Sequence, residues 1–173
     1  MGLTLSQSIA LAALVSAQQP SSSQYIGSSG AWSVYKLLHA CSLETTLESG
    51  TGVGIAQGAD IAISPKIFLR NSAWNSLKDG QRVPLDLSWT GTDGGVAVDR
   101  TGTGFATAVP GNSGLVLQFG LPYGALLEAF SSSRTIEVST SGTSLASIPT
   151  RPVDAVLRLF TCAQGTADPF AKH

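Results

Sequence analysis

Between residues 83 and 89, apolar Val83, Leu85, Leu87 and Trp89 alternate with Pro84, Asp86 and Ser88. A period of two places all four apolar side chains on one face, so this segment predicts a half-buried strand with one wet face. Pro84 has no amide hydrogen to donate, which assigns it to the strand start or to an edge. Shorter stretches of the same character predict strands at 32–37, at 41–47 as its hairpin partner, and over 53–63, where Gly54 and Gly58 are expected to mark bulges. Further short strands are expected at 67–69, 96–98, 105–109, 115–119, 135–139 and 144–148. Gly50-Thr51-Gly52, Asp79-Gly80, 90–95 and 110–114 have the composition of turns. Residues 71–80 form a polar connection around one buried aromatic, Trp74.

The period lengthens after residue 121. Pro122 is suited to a first helical turn, and Tyr123, Leu126, Leu127 and Phe130 fall on one helical face. Ser131-Ser132-Ser133 ends this element. The best helical pattern comes last. Thr150 is expected to cap it and Pro152 to open it, while Val153, Val156, Leu157 and Phe160 make the apolar stripe and Cys162 closes it. Strands followed by helices predict an α+β, β-rich fold. The expectation is a mostly antiparallel sandwich or barrel-like sheet of about eight short strands, with two helices late in the chain. The domain is expected over residues 31–170, preceded by a flexible leader at 18–30 that is rich in Ser, Gln and Gly.

Composition narrows the function. Of 173 residues, 43% are hydrophobic and 12% charged, with a net charge of −1. That is enough apolar material for one core. It lacks the clustered Lys and Arg that a nucleic-acid partner requires. No charged side chain precedes Lys36, and residues 9–15 are a continuous apolar run too short to span a bilayer. Val15-Ser16-Ala17 follows with small residues at the positions a signal peptidase reads. Residues 1–17 are therefore expected to be a secretory signal peptide, although only the α-amino group supplies positive charge in the n-region. The alternative is a short N-terminal helix packed on the domain. No later segment approaches transmembrane length. The expected location is the periplasm or the exterior, where Cys41 and Cys162, the only cysteines, pair readily. Two buried thiols are the alternative.

The chemistry-bearing residues are sparse. His39 and His173 are the only histidines, and His39 could serve Cys41 only if that thiol were reduced. The glycines of 50–58 are followed by an extended Ile61-Ala62-Ile63 rather than a helix, so they are turns rather than a phosphate loop. Among carboxylates, Asp93 with Asp99 and Glu44 with Glu48 are near neighbours in sequence, but nothing selects either as a catalytic pair. No spacing fits zinc or calcium, and no cofactor is expected. Trp32 and Trp89 are expected in the core, with Trp74 as the possible surface contact.

Trp32, Val34 and Cys41 lead to Asn71-x-x-Trp74-x-x-Leu77-x-x-Gly80, and a helix ending in Cys162 precedes Asp168-Pro169-Phe170. This set resembles a group of small exported proteobacterial proteins of unknown function. It is more distantly similar in layout to the invasion-associated locus B family. The resemblance implies an exported, non-enzymatic β-rich domain and brings no catalytic residues. The functional expectation is a non-catalytic module binding a protein or an envelope component, with an envelope hydrolase or an inhibitor of one as the alternative.

Overall fold

The computed structural model describes residues 23–74, 76–89, 98–108 and 115–165. The expected signal peptide, the turns at 90–95 and 110–114, and the tail from residue 166 lie outside them. Among the described residues ten strands are formed: β1 (Gln24–Ser29), β2 (Trp32–Lys36), β3 (Ala40–Thr46), β4 (Gly52–Gly58), β5 (Lys66–Arg70), β6 (Arg82–Trp89), β7 (Val98–Ala108), β8 (Leu115–Gly120), β9 (Thr135–Thr140) and β10 (Thr143–Pro149). Two helices, α1 (Tyr123–Ser132) and α2 (Asp154–Ala163), follow β8 and β10. The fold is α+β and β-rich. All pairings are antiparallel within one sheet of order β1-β2-β3-β4-β5-β8-β7-β6-β9-β10, which does not close. Strands β5 to β8 make a Greek-key arrangement, since the chain crosses from β5 to β6 and returns through β7 to lay β8 against β5.

β6 alternates as expected, with Val83, Leu85, Leu87 and Trp89 buried. Pro84 sits near the strand start, outside the segment that β9 pairs, so its missing amide costs no bond to that neighbour. Several expectations are corrected. Residues 24–29 are not leader but the first strand, joined to β2 through the two-residue turn Gly30-Ala31. Gly30 has φ +58, and a Cβ there would collide with the Pro152 ring, so only glycine fits. Gly54 and Gly58 lie in continuous register with β3, and the register shifts fall at Tyr25/Gly27 and Ser144/Ala146 instead. The short strand expected at 105–109 is part of an 11-residue β7 that contains Gly102 and Gly104. Residues 59–63 are a turn rather than a continuation of β4.

Both helices are rotated from the expected stripes. α1 buries Ala125, Leu126, Ala129 and Phe130, leaving Tyr123 38% exposed, and α2 buries Ala155, Val156, Leu159, Phe160 and Ala163. Alanines thus make up part of the buried face of each helix. Thr150 does not cap α2. Pro152 disfavours helical geometry at the residue before it, so the helix starts later, and Thr150 Oγ1 instead donates to the Ser133 carbonyl at 2.6 Å. α2 packs on β2, β3 and β4, and α1 reaches β9. Trp32 of β2 meets Phe130 of α1 with ring centroids 6.1 Å apart, so the sheet curls around both helices.

Cys41 of β3 and Cys162 of α2 are joined in a disulfide, with Cα atoms 6.0 Å apart across a sequence separation of 121. Closing a loop of that length restricts the unfolded chain by roughly 4–5 kcal/mol on the chain-entropy account. The C41A/C162A variant is expected to lose about 4 kcal/mol of unfolding free energy in denaturant titration. A loss below about 1 kcal/mol would mean that the crosslink does little to hold the fold.

Candidate functional site

The sheet has a second face, turned away from the helices. Register places Ser33 beside Glu44, Glu44 beside Gly54 and Gly54 beside Phe68. Two residues along, Thr46, Gly52, Arg70 and Val116 form the next row. These residues alternate with the core-facing Val34, Leu43, Ile55 and Ile67, so both rows lie on the outer face. With no side chain at Gly52, the surface dips between Thr46 and Arg70. The result is a trough of about 490 Å³ across β2, β3, β4, β5 and β8.

Its polar lining carries hydroxyls from Ser33, Tyr35 and Thr46, with Phe68 and Val116 as apolar wall. Glu44 is half-buried at one side. Burial pushes its carboxyl above the ordinary glutamate value, and the Ser42 hydroxyl, donating at 3.2 Å, offsets part of that shift. Arg70 stands on β5, two strands away and two residues offset, which places the two Cα atoms about 12 Å apart from strand spacing. The trough thus offers a carboxyl and a guanidinium at separate points, with the side-chain-free Gly52 and Gly54 between them and hydroxyls beside the carboxyl. That arrangement suits an extended polar segment better than a single ion. A smaller cavity of about 270 Å³ lies over β6, β7 and β8, where Gly102 leaves room beside Leu87, Arg100 and Phe119.

The candidates from sequence scatter. His39 is exposed in the turn between β2 and β3, while the neighbouring Cys41 is held in the disulfide. Glu48 is exposed beyond the end of β3, so it does not join Glu44 in the trough. Asp99 is exposed on β7, and Asp93 and His173 lie outside the described residues. Trp32 and Trp89 are core residues. Trp74 is half-buried and packs on the core from the crossover between β5 and β6, lining neither cavity. Asn71 fixes that crossover. Its side chain accepts from the Ala73 amide at 2.8 Å and donates to Thr51 Oγ1 at 2.9 Å. Among the described residues, no group of three His, Cys, Asp or Glu could hold a metal ion, and no helix is long and apolar enough to cross a membrane.

Reasoning from single residues missed the trough because its members come from five strands. The one local sign was Gly52 and Gly54 on a strand whose outward positions would ordinarily carry side chains. No protein-family model, no curated protein and no solved structure matches the chain.

A raised carboxyl pKa in the folded state means that the folded form holds its proton to higher pH than the unfolded form does. Stability is therefore expected to fall as pH rises from the ordinary glutamate value through the folded value of Glu44. The E44Q variant should flatten that fall in thermal melts between pH 4 and pH 8. An unchanged slope in the variant would remove Glu44 as its source.

Proposed function

We propose that the protein is an exported, non-catalytic binding module that takes an extended polar segment of a protein or envelope component into the outer-face trough. The observation that carries this reading is the trough's lining. Among the described residues Glu44 is its only carboxyl, flanked by hydroxyls, with Arg70 about two strands away. Glycoside hydrolysis uses two carboxyls about 5–9 Å apart, one on each side of the bond cleaved. A single carboxyl among hydroxyls and a guanidinium can instead hold a ligand by hydrogen bonds and charge. The disulfide adds support, since it leaves His39 without a thiol partner and accords with an oxidising compartment.

Affinity capture from the native envelope tests the binding. Wild-type protein is expected to retain a defined component, and the E44Q/R70Q variant to retain at least about tenfold less of it, the loss of roughly one charge-assisted hydrogen bond. Equal recovery by both proteins, or recovery of nothing by the wild type, would refute this use of the trough. Export has its own readout. Protein recovered from the periplasm or medium is expected to begin at Gln18, and an intact Met1 in all recovered material would exclude cleavage after Ala17.

A further inference from the structure

Three connections meet at one end of the sheet: the β2–β3 turn, the β4–β5 loop and the link from β8 to α1. The Leu121 amide donates to the Pro65 carbonyl at 3.2 Å, and Gly58, at the end of β4, lies against the His39 carbonyl. This end carries Leu38, 66% exposed, Ile61, 48% exposed, and Ile63, 60% exposed. Those are high values for large aliphatic side chains in a protein with a full core. The loop that presents the isoleucines is built to hold its shape. Gln57 is buried, and its Nε2 donates to the carbonyls of Gly58, Asp60 and Ile63 at 2.9, 3.0 and 3.3 Å. Asp60 turns its carboxylate back into the loop, accepting from the Ala62 amide at 2.9 Å. Lys36 and Lys66, both exposed, flank the tip where β2 ends and β5 begins.

We infer that this tip docks on an anionic phospholipid surface, with Leu38, Ile61 and Ile63 entering the interfacial region and Lys36 and Lys66 meeting lipid phosphates. The composition separates a membrane from a protein partner. Protein interface cores favour Trp, Tyr and Arg and are depleted in Lys. Here the apolar groups on the two turns are aliphatic and bordered by lysines, while the exposed aromatics nearest this end, Tyr25 and Tyr123, belong to β1 and to the first turn of α1. Exposed aliphatic groups beside cationic ones are what an anionic bilayer surface takes up. The surface is separate from the trough and does not depend on the trough having a ligand.

Sedimentation of the full chain with vesicles of phosphatidylglycerol and phosphatidylethanolamine tests the inference, with pure phosphatidylcholine vesicles as the neutral comparison. Wild-type protein is expected to bind the anionic vesicles more tightly than the neutral ones. Both isoleucine side chains are exposed and the loop is held through backbone carbonyls, so I61S/I63S should keep the wild-type melting temperature. Its partitioning should fall about tenfold for each isoleucine, the equivalent of burying about half of each side chain. K36Q/K66Q should lose about fivefold for each lysine, and added salt should reproduce that loss in the wild type. Absence of wild-type binding to the anionic vesicles, or equal binding by wild type and I61S/I63S, would overturn the inference. The second outcome would place any membrane contact elsewhere in the chain. Neither outcome bears on capture through Glu44 and Arg70.

Discussion

Cys41 and Cys162 stand 121 positions apart in sequence, and their Cα atoms lie 6.0 Å apart in the fold. Everything from β4 to β10, together with α1, lies inside the loop that this bond closes. The sheet has the problem that makes such a crosslink useful. It is open, its two edges are β1 and β10, and the Greek-key crossing separates β5 from β6. Non-local pairings of this kind spend chain entropy before their contacts form. The disulfide pins α2 against β3, and α2 in turn covers the core-facing side of β2 and β4. Thr150 completes the same closure from the other side, since its hydroxyl and amide bond the carbonyls of Ser133 and Arg134 and tie the end of β10 to the end of α1.

How far the fold was legible in the sequence depends on how each element is buried. β6 could be read because one face is in the core and the other in water, so its alternation is complete. β1 could not. It is an edge strand whose first three residues are exposed, and a strand with little burial carries no period, so its Ser, Gln and Gly have the composition of a linker. β7 was seen only at its two ends because its middle is polar and contains Gly102 and Gly104. Gly104 is there for packing. A Cβ at that point would lie 2.7 Å from Leu117 Cδ1 and 2.9 Å from Leu85 Cδ1, two buried core side chains. The helical stripes were read with the large residues at their centre. The structure centres them partly on Ala125, Ala129, Ala155 and Ala163, small residues that a search for large apolar side chains passes over.

The candidate surfaces were less legible than the fold, for a related reason. The trough is made by register across five strands, and no segment of the sequence contains two of its opposing walls. Gly52 and Gly54 were visible, but a glycine on a strand has the same appearance whether it marks a bulge or leaves a hollow on one face. Ile61-Ala62-Ile63 was visible too, and its alternation imitates a strand. What takes it out of the sheet is Gln57, whose side-chain amide satisfies three loop carbonyls and so supplies what a neighbouring strand would otherwise provide. A glutamine in an apolar strand carries no sign of that role in sequence.

The trough and the tip share the same supports. Both are carried in part on β2 to β4, the strands that α2 covers and the disulfide braces. A surface that binds through a few hydrogen bonds or a few side chains gains affinity when its groups are already held in place, because less conformational freedom is lost on binding. Glu44 and Arg70 hold their separation only while β3, β4 and β5 stay in register, and Leu38 and Ile61 stay together only while β3 and β4 do. The long-range crosslink that closes the fold is therefore also what keeps both surfaces in shape. Its loss would loosen the trough and the tip together, whereas a change within either surface should leave the other intact.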